Sequence, residues 1–176
     1  PPWFAIRKRL PWLQINLLTA FLAAFVVGLF EDTIARFTAL AVLLPVVAGQ
    51  SGNTGAQALA VVMRGLALRD IRPSQWLRVT LKESSVALAN GVAVAATTCT
   101  AVYLWSGSMG LTMVIGVSMV VSMVMAGFSG AIIPIILRSL KQDPAQSSSI
   151  ILTTVTDVAG FFSFLGFSRI FSSFLE

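Results

Sequence analysis

Five apolar runs, each about twenty residues or longer, constrain this chain more than any other feature. They cover roughly residues 13–30, 34–63, 85–105, 111–137 and 148–174. A helix of about 20 residues crosses a hydrocarbon core about 30 Å thick. In that medium every backbone N–H and C=O needs a partner from the protein, which leaves only helices and closed barrels. The runs are too long for barrel strands and lack period-2 alternation. An all-α, multi-pass integral membrane protein with five transmembrane helices follows. Composition agrees: 56% of the 176 residues are hydrophobic and 11% are charged, against about 25% charged in a soluble domain. We read residues 1–176 as one domain.

Ten of the twelve basic residues fall on one side if the five runs alternate in direction. Arg7, Lys8 and Arg9 precede the first run. Arg64, Arg69, Arg72, Arg78 and Lys82 lie between the second and third, and Arg138 and Lys141 between the fourth and fifth. Only Arg36 and Arg169 fall on the other side. The positive-inside rule then places the N-terminus in the cytoplasm and the C-terminus outside. The net charge of +5 therefore reads as topology and not as a nucleic-acid footprint. No cleavable leader is visible, and the chain opens without methionine; we expect something cytoplasmic to precede it in a longer protein. With no histidine and Cys99 as the single cysteine, imidazole and thiolate metal sites and an internal disulfide drop out.

The second run is polar in its middle. Within "LLPVVAGQSGNTGAQALAVVMRGLALRDI" (Leu43–Ile71), Pro45, Gly49, Gly52 and Gly55 each weaken a helix, so this helix is expected to be interrupted. Gln50, Ser51, Asn53, Thr54 and Gln57 add hydrogen-bonding side chains. Irregular backbone at membrane depth persists only where it is buried in protein or lines a watery cavity. Asn53 and Gln57, at i and i+4, share a face and are read as pore lining together with Gly49 and Gly52. The alternative is tight helix packing through small residues. That alternative is the better account of Gly127 and Gly130, and Met113, Met119, Met123 and Met125 are read as packing residues. Glu83 is expected to open the third helix, where an acid favours the helix dipole.

Asp157 lies about ten residues into the fifth run, about 15 Å deep at 1.5 Å per residue. A carboxylate there costs about 2.5–3.5 kcal/mol by insertion scales, and intramembrane ionisable groups mark function. Thr153 is four residues earlier on the same face, and Thr156 and Gly160 are assigned to the lining beside it. No deep basic residue can pair with this acid, so a proton or a cation must. Two copies around a two-fold axis would supply two carboxylates, balancing one divalent ion. Mg²⁺ is commonly bound through one or two carboxylates while keeping its waters. At the far end of the first run, Glu31 and Asp32 are placed to concentrate cations at an external mouth.

Three segments carry a resemblance: "LFEDTI" (Leu29–Ile34), "LPVVAGQSGNTGAQALAVVMRGLAL" (Leu44–Leu68) and "DPAQSSSIILTTVTDVAGFFSFLG" (Asp143–Gly166). Together they resemble the membrane domain of MgtE magnesium channels and transporters over nearly the whole chain. The sequence departs from that pattern at Ser51, where a second glycine is usual. The resemblance implies a symmetric homodimer in a bacterial or archaeal inner membrane, with the second and fifth helices lining an axial pore. It implies hydrated Mg²⁺ at Asp157, with the backbone carbonyl of Thr153 beside it. It also implies upstream acidic and CBS regulatory domains, which this sequence lacks.

Mg²⁺ is then the transported ion, and Mn²⁺, Co²⁺ and Ca²⁺ are possible companions that the sequence does not separate. The leading expectation is passive Mg²⁺ influx. The alternative is a proton- or sodium-coupled carrier in which Asp157 alternates between proton and metal. An intramembrane aspartyl protease needs two carboxylates sharing a proton, and one deep acid per chain does not supply them; no enzyme is expected.

Overall fold

The computed structural model describes residues 2–141 and 144–175, apart from the side chains of residues 144–146. Among the described residues there is no strand. Six helices follow one another: α1 (Pro2–Gly28), α2 (Glu31–Arg36), α3 (Ala39–Ala67), α4 (Trp76–Ser106), α5 (Met109–Ser139) and α6 (Pro144–Ile170). Single 3₁₀ turns occupy Pro73–Gln75 and Ser172–Phe174.

Four segments are long and apolar enough to cross a membrane: α1, α4 with its leading turn, α5, and α6 from Ser147. The fifth long helix, α3, has 29 residues, about 43 Å at 1.5 Å each. It is long enough to span and is set apart by its polar middle.

The expected interruption of the second run at Pro45–Gly55 does not occur. α3 is continuous there, and the chain breaks instead at Phe37–Thr38, between α2 and α3. The polar residues are accommodated within α3. The Ser51 hydroxyl donates to the Ala48 carbonyl (3.1 Å) and the Thr54 hydroxyl to the Gln50 carbonyl (2.9 Å). The hydroxyls thus satisfy themselves on the helix they belong to, which is the usual fate of Ser and Thr inside a helix.

Two helix starts also differ from expectation. α1 begins at Pro2, so Arg7–Arg9 lie within it. α4 begins at Trp76, so Glu83 sits two turns inside and is buried, with Lys82 Nζ 4.0 Å away. Hydropathy locates where the apolar run begins, whereas the helix extends through polar residues until Pro73 ends it.

α5 is the centre of the bundle. Ile115 and Met119 are fully buried and pack in one core with Leu40 and Val47 of α3 and Phe164 and Leu165 of α6. Met123 joins them, whereas Met113 and Met125 point outward. α4 and α5 form an antiparallel hairpin. Gly107, with φ 65°, ends α4 in the left-handed conformation, and Ser108 Oγ accepts the Leu111 N–H at 3.2 Å to start α5. Along this hairpin, the Cys99 thiol donates to the Thr112 carbonyl at 3.3 Å.

Small residues let α3, α5 and α6 approach closely. A Cβ at Gly130 would collide with the Gly55 carbonyl, and one at Gly55 would lie 3.0 Å from Leu152 Cδ1 and 3.2 Å from Thr156 Cγ2. The packing expected of Gly127 is equally tight, against Ala87 and the Glu83 carbonyl. Such close backbone approach through small residues favours helix association in lipid through van der Waals packing.

These contacts fix direction. Val47 and Ser51 meet Gly160 while Gly55 meets Thr156, so α3 and α6 are antiparallel. Residues 8–16 of α1 flank 149–153 of α6, and Phe30 meets Phe162 edge-on at 5.9 Å, so α1 and α6 run parallel. Consequently Arg7–Arg9, Arg64–Lys82, Arg138 and Lys141 gather at one end of the bundle, with Glu31, Asp32 and Arg36 at the other.

Candidate functional site

α3 carries its buried residues on one stripe: Leu40, Leu43, Val47, Ser51, Gly55, Ala58 and Val62. Their spacing of three and four is that of one helix face. The face turned away is different in kind. Gly49, Asn53 and Gln57 are exposed at successive i+4 steps, with Gly52 half-buried beside them. No atom lies within 4 Å of where a Cβ would stand on Gly49 or Gly52. Neither the Asn53 nor the Gln57 side chain makes a hydrogen bond among the described residues.

α6 divides in the same way. Thr156 and Gly160, read from sequence as lining, turn toward α3 and are buried. Thr156 is 2% exposed, and a Cβ at Gly160 would lie 3.3 Å from Ser51 Oγ. The two residues are packing contacts because α3 needs small partners at this crossing. Ser51 occupies the matching position on α3 and is fully buried. A second glycine there would leave a gap that this hydroxyl fills.

One step around α6, Thr153 is exposed and Asp157 half-buried. The Thr153 carbonyl accepts from Thr156 Oγ1 at 3.1 Å in addition to its place in the backbone ladder of α6, so both of its lone pairs have partners within the helix. The Thr153 hydroxyl donates to the Ser149 carbonyl at 2.9 Å. Asp157 has no hydrogen bond or ion pair among the described residues. A half-buried carboxylate in the middle of a helix long and apolar enough to span, without a partner among the described residues, has its lone pairs free for a cation, for water or for groups from another chain. The described residues contain no cluster of three or more His, Cys, Asp or Glu that could hold a metal ion within one copy.

Glu31 and Asp32 are exposed in the first turn of α2. They stand at the end of the bundle opposite the basic cluster. The Phe37–Thr38 break and the division of α3 and α6 into a packed and an open face are not visible in composition. The three-and-four spacing of Val47, Ser51, Gly55 and Ala58 is the signal that would have revealed the packed face.

Comparison with known proteins bears on this arrangement. The profile of the MgtE family, described as divalent cation transporter, matches residues 44–167. That interval contains all of the polar stretch of α3 and the Thr153–Gly160 turns of α6. The magnesium transporter MgtE of Thermus thermophilus is 38% identical over 168 residues, covering 96% of this chain. The proteins of the same name from Bacillus subtilis and Enterococcus faecalis are 32% and 31% identical and cover 96% and 97% of it. The chain spans 36–38% of the length of these three relatives. With the family profile matched across well over half of its residues, this chain belongs to the MgtE family of divalent cation transporters.

Proposed function

We propose that this chain forms a membrane pore for divalent cations, Mg²⁺ foremost, by pairing with a second copy about a two-fold axis. The observation that carries the reading is the open strip on α3 and α6. On α3, Gly49, Asn53 and Gln57 are exposed with Gly52 half-buried beside them; on α6, Thr153 is exposed and Asp157 half-buried. Facing its symmetry mate, the strip would put two Asp157 carboxylates across an axis, a total of −2 against one divalent ion. The Thr153 carbonyl lies one helical turn away.

Mg²⁺ surrenders its waters reluctantly. A sparse oxygen site suits it, because amides and carbonyls can hydrogen-bond the hydration shell while the carboxylates supply charge. Inward movement of a divalent ion down a membrane potential gains about 4.6 kcal/mol per 100 mV, twice the single-charge value, so passive flux needs no other energy source. The relatives named as magnesium transporters support Mg²⁺ as the cargo. The grouping of ten basic residues at one end supports a cytoplasmic N-terminus.

Uptake into proteoliposomes tests the reading. Wild type is expected to admit Mg²⁺ under an inside-negative potential, with no dependence on pH or sodium gradients. Asp157→Asn is expected to lose at least tenfold of that flux while keeping its helix content. Undiminished flux in Asp157→Asn removes the carboxylate from the pathway. Flux that follows the proton or sodium gradient favours a coupled carrier instead.

A further inference from the structure

The first half of α1 stands apart from the bundle. Its buried residues, Ala23 and Val26, both lie in the second half. Toward the N-terminus α1 and α6 therefore enclose an open groove of about 880 Å³. One wall carries Lys8, Arg9, Trp12 and Asn16, which recur along one helix face; the other carries Ser149 and Thr153. Leu13 and Ile150 complete the lining.

We propose that this groove binds the phosphate headgroup of an anionic phospholipid. Three observations point the same way. Lys8 and Arg9 are exposed, and no acidic side chain pairs with either among the described residues; Lys8 Nζ rests over the Phe4 ring at 4.7 Å. The Trp12 indole N–H, the Asn16 amide and the Ser149 hydroxyl add neutral donors suited to phosphate oxygens, and no hydrogen bond occupies their side-chain donors among the described residues. Leu13 and Ile150 place apolar surface beside the donors, as a glycerol backbone and acyl chain require and a free anion does not.

The groove lies at the end of the bundle that gathers the basic residues, and basic pockets between spanning helices at such an end suit anionic headgroups. Trp12 is the amphipathic ring type enriched at headgroup depth. The groove shares Thr153 with the open strip, but its test measures lipid binding and no ion flux, so the two readings fail separately.

Native mass spectrometry of the purified chain in detergent reads bound lipid directly. The chain is titrated with phosphatidylglycerol, with phosphatidylcholine and with inorganic phosphate. Phosphatidylglycerol is expected to bind at least tenfold more tightly than phosphatidylcholine, and millimolar phosphate is expected not to displace it. Lys8→Gln/Arg9→Gln is expected to weaken phosphatidylglycerol about 30-fold. Arg138→Gln/Lys141→Gln removes the same charge from the same end and should stay within about threefold of wild type.

Equal losses in the two double variants would reduce the site to a diffuse field and overturn the proposal. Equal binding of the two lipids, or displacement by phosphate, would overturn it as well. If Lys8→Gln/Arg9→Gln loses helix content, Asn16→Leu/Ser149→Ala decides the matter with net charge unchanged. That variant is expected to bind about tenfold more weakly, and wild-type affinity there is incompatible with the site.

Discussion

Two strips of α3 and α6 use nearly the same residue types and meet opposite fates. On the packed seam, Ser51, Gly55, Thr156 and Gly160 lie against one another and against Gly130 of α5. On the open strip, Gly49, Asn53, Gln57 and Thr153 are exposed, with Gly52 and Asp157 half-buried beside them. Glycine on the seam removes a clash; glycine on the strip removes a side chain from a space that is already empty. A hydroxyl on the seam is satisfied locally, as Thr156 is by the Thr153 carbonyl. The amides and the carboxylate on the strip retain unmet hydrogen-bonding capacity. In lipid such capacity is costly, which is why the proposed reading turns the strip toward water, ions and a second copy.

The comparison breaks first at its tightest point. Gly130→Leu drives a side chain into the Gly55 carbonyl and is expected to destabilise the bundle by about 3 kcal/mol. Thermal unfolding in detergent would show this; an unchanged midpoint would mean that α3 and α5 do not pack this closely. Gly52→Ala is the matched control, expected to unfold like wild type because no atom waits there.

Second in size is Asp157→Asn. Its effect belongs to transport: at least a tenfold loss of Mg²⁺ flux with little change in unfolding. A large drop in stability with proportionate flux loss would move Asp157 from the open strip to the seam. Asn53→Ala and Gln57→Ala come next, with expected changes of a few-fold in conductance or in Mg²⁺ preference over Ca²⁺. Their stability should stay within about 0.5 kcal/mol of wild type, as for surface positions. Flux and selectivity indistinguishable from wild type would return these two side chains to a packing role.

Thr156→Val is the smallest perturbation. It keeps the shape and deletes the hydroxyl that donates to Thr153, a bond within one helix, and is expected to change stability by less than about 0.5 kcal/mol. It should leave transport nearly intact. A large transport defect here would show that the carbonyl of Thr153 must be held in place by its partner for the ion to pass.

Much of this protein was legible before any coordinates. Residue type and run length dictated helices because lipid offers no partner to a bare amide. The isolation of Asp157 from any deep basic residue marks it as the unusual group, and among the described residues its carboxylate has no hydrogen bond or ion pair. Local glycine and proline propensities place the break of the second run at Pro45–Gly55, but α3 is continuous there and the chain breaks at Phe37–Thr38. In the bundle, Gly55 is held helical by the close approach of α5 and α6, and Ser51 and Thr54 bond back onto their own carbonyls. Hydropathy also misjudged the ends of α1 and α4, whose polar turns continue the helix beyond the apolar run.

Sequence alone determined that the chain is helical, that its basic residues gather at one end, and that one carboxylate sits deep with nothing nearby to neutralise it. These follow from solvation energies that each residue carries wherever it goes. Only the tertiary structure decided which glycines and threonines became packing and which stayed open, because that depends on how α3, α5 and α6 cross. A rotation of one residue step, about 100° on a helix of 3.6 residues per turn, is enough to exchange Thr156 for Asp157.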